Sequence, residues 1–125
     1  MLDAVSQLHD VCAVDELSPG QTKIIEVNGR SIGVFNVKGT FYAMNNLCPH
    51  AGAPLCLGRV TGTPVADNPY SVSWDREGEI VRCPWHSWEF DIATGKTLAG
   101  PRKSVRTYAV HQQNGRLYID LRGAR

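Results

Sequence analysis

Hydrophobic positions along this chain come in short runs separated by turn-forming residues, and several of the runs alternate with polar positions. Residues 24–27 and 31–37 flank Asn28-Gly29, a two-residue hairpin signal because both residues tolerate positive φ. Lys38-Gly39 then predicts a second turn, into a strand over 40–43. Residues 70–74 and 79–82 bracket Asp75-Arg76-Glu77-Gly78, which reads as another hairpin. Residues 105–110 and 116–121 flank Asn114-Gly115, with Leu117, Ile119 and Leu121 at the period of a half-buried strand. Only 14–17 suggests a helical turn, stopped by Pro19-Gly20. The pattern predicts an antiparallel all-β domain with no internal repeat and no linker.

Composition narrows the class without altering that picture. A chain of 125 residues with 42% hydrophobic content is expected to form one domain, spanning 1–125, with a real core. The net charge of +1 comes without a basic run, which argues against a nucleic-acid partner. Arg102, Arg106, Arg116, Arg122 and Arg125 read as solvated strand faces. No apolar stretch approaches the roughly 20 residues that cross a bilayer, so no membrane partner is expected. The first ten residues have neither a basic start nor an apolar signal core, and carry Asp3 and Asp10. A cytoplasmic location is expected, and there four cysteines favour metal binding over disulfides.

Two stretches fit neither strand nor helix: Cys48-Pro49-His50-Ala51-Gly52-Ala53-Pro54-Leu55 and Cys83-Pro84-Trp85-His86-Ser87-Trp88. Each supplies one Cys and one His, as Cys-x-His and Cys-x-x-His. Thiolate and neutral imidazole are both good ligands for first-row metals. One or two intervening residues let a tight loop aim both side chains into one small volume, and the proline after each cysteine stiffens it. Zinc accepts such a set, but structural zinc sites usually pair cysteines in one knuckle and histidines in the other. Mixed pairs on two loops suit an asymmetric [2Fe–2S] cluster better, with two thiolates on one iron and two imidazoles on the other. The ligands expected are Cys48, His50, Cys83 and His86. Four protein ligands leave no open position for a substrate, so electron transfer is expected rather than catalysis. A zinc-stabilised interaction module is the reading from another class.

With these two boxes, Glu89-Phe90-Asp91, Thr94-Gly95, Gly100-Pro101 and the closing hairpin, the chain resembles the Rieske family over about 11–121. The likeness is to the stand-alone ferredoxins of aromatic-ring dioxygenases and to the small subunit of assimilatory nitrite reductase. It implies an antiparallel β-sandwich with a small cluster-binding subdomain, about 45–101. It also implies one Rieske [2Fe–2S] cluster, with Cys48 and Cys83 on the inner iron and His50 and His86 on the outer. Gly100-Pro101 would form a third loop covering it. The implied partners are a flavin-dependent reductase and a terminal oxygenase, docking transiently at the His50/His86 tip; the runner-up is a subunit built permanently into a larger reductase.

Two departures stand out. Thirty-two residues separate His50 from Cys83, about twice the usual number, with the extra material placed at about 61–78. Ser87 stands where glycine usually follows the ligating histidine. High-potential relatives carry a serine and a tyrosine hydroxyl near the cluster and a disulfide joining the loops. Here Trp88 and Phe90 occupy the first two positions and Ala53 and Trp85 the others. Fewer hydrogen bonds to the sulfurs predict the low end of the roughly −150 to +300 mV Rieske range.

The remaining candidates receive plainer readings. Cys12 and Cys56 are expected to be small buried hydrophobes. His9 is expected at the terminal surface and His111 on an exposed hairpin. Trp85 is expected to shield the cluster and Phe90 to pack the core. Glu89 and Asp91 have no nucleophile or open metal site that would make them an acid/base pair.

Overall fold

The computed structural model describes residues 8–49, 52–68, 71–85, 88–98 and 102–122, with backbone alone at 64–68 and 71–72. Its strands are β1 (Leu8–Ala13), β2 (Thr22–Val27), β3 (Arg30–Val37), β4 (Thr40–Asn45), β5 (Arg59–Asn68), β6 (Ser71–Arg82), β7 (Glu89–Asp91), β8 (Thr107–Tyr108), β9 (Val110–Gln113) and β10 (Arg116–Asp120). They form three antiparallel sheets, ordered β1-β10-β9, β2-β3-β4-β8 and β5-β6-β7. Single 3-10 turns occupy Val14–Glu16 and Leu55–Leu57. The expected all-β class holds. Among the described residues no helix is long and apolar enough to cross a membrane.

The hairpins turn where the sequence places them. Asn28 and Gly29 have φ of 53° and 80°, Lys38 and Gly39 53° and 95°, and Asn114 and Gly115 51° and 77°. Positive φ at both central residues gives turns whose twist matches that of the flanking strands.

β3 lies in the middle of the molecule because both of its faces are apolar. Ile32 and Val34, two residues apart, share one face and one core with Cys12, Leu17, Val27, Ala43, Tyr108, Leu117 and Ile119. Phe35 points the other way, into a second core with Met44, Leu55, Val81, Phe90, Ile92, Val105 and Cys48, Cys56 and Cys83. Each fully buried aliphatic or aromatic side chain here contributes about 1.5–3 kcal/mol by leaving water. Asn36 is the buried polar residue of β3 and is satisfied: its side-chain amide donates to the Leu17 carbonyl (2.8 Å) and accepts from Gly39 N–H (2.8 Å). At Gly33 an added Cβ would stand 2.5 Å from Cys56 Cβ and Sγ, so the backbone itself forms the wall there.

The third sheet departs from expectation. The hairpin expected of 70–74 with 79–82 does not form: Tyr70 lies outside the described residues, and 71–82 is a single strand, β6, paired with β5. Thr61 pairs with Ile80 and Thr63 with Asp75, so residues 76–79 bulge opposite Gly62. The positive φ of Arg76 (58°) and Gly78 (84°), which reads as a turn in sequence, is used to leave the strand and rejoin it. Ion pairs hold the bulge in place: Arg76 to Glu79 (2.9 Å) and Asp91 (3.0 Å), and Glu79 to Lys38 (2.9 Å). The described residues of 61–78 therefore belong to the paired strands β5 and β6. The expected strand over 105–110 also divides: β8 joins the middle sheet and β9 the first, with the Ala109 carbonyl accepting from Asp120 N–H (2.9 Å).

Candidate metal centre

Cys83 directly follows the last residue of β6, and Cys48 lies three residues beyond the end of β4. Both are 1% exposed and belong to the same core. Backbone bonds close each loop on its cysteine. Cys48 N–H donates to Ala53 O (2.8 Å) and Gly52 N–H to Cys48 O (2.8 Å), while Cys83 N–H donates to Trp88 O (2.8 Å). Each loop thus has a buried sulfur at its base and an outward middle, where Pro49, Gly52, Pro84 and Trp85 are exposed. His50, His86 and Ser87 lie outside the described residues, within the spans that these bonds bracket.

A third segment is pinned in the same manner. Phe90 and Thr97 form an isolated bridge, Thr97 N–H donates to Lys103 O (3.0 Å), and Val105 N–H to Gly95 O (2.8 Å). Gly100 and Pro101, expected to cover the centre, lie between those anchors and outside the described residues.

The donor chemistry fits an iron–sulfur group. Cys48 and Cys83 share one apolar core with Ala53, Leu55, Phe90 and Ile92, and none of the four cysteines forms a disulfide. An apolar shell controls solvent access to a bound cluster and so its potential. Cys56 shares this core yet behaves as a plain hydrophobe. Its thiol faces the Met44 and Asn45 carbonyls (3.7 and 3.6 Å), and burial pushes its pKa up to about 12. Cys12 lies in the other core, where burial likewise raises its pKa.

Other expectations resolve individually. Phe90 is fully buried and packs the core, with Trp88 partly buried against it. Trp85 is 59% exposed. His111 is exposed on β9, but His9 is half-buried in β1 opposite Ile119 rather than at a loose terminus, because β1 pairs with β10. Glu89 and Asp91 are committed to ion pairs with Arg82 (2.7 Å) and Arg76 (3.0 Å). Sequence reasoning missed Leu47, 55% exposed beside Cys48, and the exposed Leu57; two apolar side chains left in water next to a loop were the available signal.

The Rieske [2Fe-2S] domain model matches residues 7–109. The ferredoxin component of the naphthalene 1,2-dioxygenase/salicylate 5-hydroxylase systems of Ralstonia sp is 31% identical over 113 residues, covering 90% of this chain and 93% of that protein. The structure of the Sphingomonas yanoikuyae B1 ferredoxin superposes with a TM-score of 0.68 at 29% identity, covering 89% of this chain and 95% of that one. A chain in the complex of reduced oxygenase and oxidized ferredoxin in carbazole 1,9a-dioxygenase shares the fold, with a TM-score of 0.75 at 23% identity over 95% of this chain and 97% of its own. The likeness sets aside the zinc-module reading and favours a ferredoxin over a nitrite reductase subunit. The match spans most of the chain, including both cysteine loops and the core that holds them, and the protein belongs to the Rieske [2Fe-2S] domain family, with one such cluster as its cofactor.

Proposed function

We propose that this chain is the ferredoxin component of a multicomponent oxygenase, carrying single electrons from a flavin-dependent reductase to a terminal oxygenase in the cytoplasm. The observation that carries this reading is the pair of loops, each closed on a buried cysteine, meeting in one core of a chain whose relatives are ferredoxin components. Cys48 and Cys83 would hold one iron, and His50 and His86 the other. Bound there, the cluster supplies reversible one-electron chemistry with every protein ligand position filled.

The chain's own residues provide the rest. Leu55, Phe90 and Ile92 keep water from the sulfur side. Trp85, Leu47 and Leu57 present apolar surface on and beside the loops, where a partner docked at the His50/His86 tip would cover them. Such a footprint is small and suits brief contacts. Gly100 and Pro101 would close the third side, and Ser87 would set the backbone after His86. The phenyl ring of Phe90 offers no hydroxyl to the cluster, which supports a low midpoint potential.

Anaerobic purification with iron and sulfide analysis tests the cofactor ligands. Two irons per chain and a rhombic electron paramagnetic resonance signal on reduction are expected from native protein, and neither from Cys48→Ser or His86→Ala. Stopped-flow mixing of the reduced protein with a terminal oxygenase should show re-oxidation at a second-order rate. A strongly positive midpoint in a redox titration, or re-oxidation only within a permanent complex, would count against the shuttle.

A further inference from the structure

The β5–β6 hairpin carries a cleft of about 450 Å³, separate from the cysteine loops, lined by Arg59, Val60, Thr61, Trp74, Glu77 and Arg82. Arg59 and Arg82 are direct cross-strand partners, so two guanidiniums share one face at one end of it. Like charges placed opposite each other across a strand pair are unfavourable without a counter-charge. The nearby carboxylate is only half available. Glu89 gives one oxygen to Arg82 Nη2 (2.7 Å) and accepts the Thr63 hydroxyl (2.9 Å) with the other.

Two donors are left over. Arg82 Nε is buried without a hydrogen-bond partner, an arrangement folded proteins rarely leave uncompensated. The Arg59 side chain is exposed and forms no ion pair or hydrogen bond among the described residues. The far end differs in character. Trp74, 54% exposed, donates its indole N–H to Glu77. Gly62 permits this approach, since a Cβ there would collide with the Asp75 carbonyl and crowd Trp74 Nε1.

We propose that this cleft binds a carboxylate, seated on the Arg59–Arg82 pair with its carbon body along Val60 and the Trp74 indole. Paired guanidinium forks are the side chains best matched to a planar carboxylate. Glu77 also lines the cleft and opposes an anion, but it is bonded to Trp74 beyond Gly62 rather than set between the arginines. The carboxylate has two possible sources: a small organic acid, or an acidic side chain on a protein surface.

The position couples the cleft to the metal centre. Arg82 immediately precedes Cys83, and Glu89 follows Trp88, whose carbonyl accepts the Cys83 N–H. A negative ligand seated there would disfavour one more electron on a cluster held by Cys83. Reduction therefore weakens binding, and by reciprocity binding lowers the midpoint potential. This coupling rests on Cys83 holding the cluster; the binding itself does not.

Calorimetric titration of the oxidised holoprotein at fixed ionic strength tests the site, with benzoate and hexaglutamate as probes. Saturable binding of at least one is expected, weakened at least tenfold in Arg59→Gln and not weakened in Glu77→Gln. Preference for benzoate assigns the free acid, and preference for hexaglutamate the protein side chain. Binding of neither probe, or binding indifferent to Arg59→Gln at an unchanged melting temperature, overturns the proposal. A midpoint unmoved by a saturating probe overturns the coupling while leaving the site.

Discussion

The two faces of β3 look onto cores built in different ways. On one, Ile32 and Val34 meet side chains from regular strands, Leu117 and Ile119 of β10 and Ala43 of β4, and most contributors are aliphatic. On the other, Phe35 meets a mixture drawn largely from loops and strand ends: Cys48, Ala53, Leu55, Cys56, Cys83 and Ile92. The first is closed mainly by strand pairing, with Leu17 tied in through Asn36. The second is closed by backbone bonds across loops and by the ion pairs of the β6 bulge, and three of the four cysteines lie in it. The contrast separates a region that fixes the fold from one whose irregularity makes room for a cofactor.

The sharpest test of this division uses the cysteines. Cys83→Ser should abolish iron content and the reduced-state resonance signal, whereas Cys12→Ser, in the aliphatic core, should retain both. Loss of iron from the Cys12 variant would break the distinction. Next in size, Ile32→Ala removes a fully buried side chain and should cost about 2–5 kcal/mol in denaturant unfolding. The resonance g-values should not move; a shifted spectrum would mean that the cores communicate more closely than their packing implies.

Gly33→Ala crowds Cys56 and should cost about 1–3 kcal/mol. Pairing it with Cys56→Ala should recover part of that loss, a non-additivity that a double-mutant cycle measures directly. A smaller effect comes from Cys56 itself, whose folded thiol stays neutral to about 12 against an ordinary value of 9.0. Below 9.0 the thiol is protonated folded or unfolded and contributes no pH dependence. As pH rises from there through about 12, only the unfolded chain ionises it, so stability falls. Cys56→Ala should flatten that alkaline slope by one proton in chemical unfolding of the iron-free chain.

The smallest expected effect lies at the edge of the aliphatic core. The Arg122 guanidinium beside Asp120 (2.8 Å) holds that carboxyl at about 2, down from 3.8. Its contribution is present above 3.8 and lost as pH falls through about 2. Arg122 is more than half exposed and water screens the pair, so Asp120→Asn should shift the acid midpoint only slightly.

Legibility in the sequence follows the same division. Asn28-Gly29, Lys38-Gly39 and Asn114-Gly115 announce their hairpins because positive φ at adjacent residues has little other use. The cysteine loops are equally visible, since Cys, Pro and His at that spacing seldom serve packing. Asp75-Arg76-Glu77-Gly78 misleads for the same local reason: its backbone angles are those of a turn, and only pairing with β5 turns them into a bulge. β5 escaped notice because Gly62 and Pro64 interrupt its pattern. The facing of Arg59 and Arg82 depends on strand register, which no local signal encodes.

Because a single strand serves as the wall between both halves, losing the whole cofactor on one side reaches backbone that both share, even where a single cavity on the other does not. Stripping iron would loosen the packing around Phe35, and the amides that β3 shares with β2 and β4 would then exchange with deuterated solvent faster than in the loaded protein. A cell would meet the stripped carrier as a domain with a weakened wall, more open to proteolysis than the loaded form. Equal exchange rates along β3 in the two forms would rule out that fate.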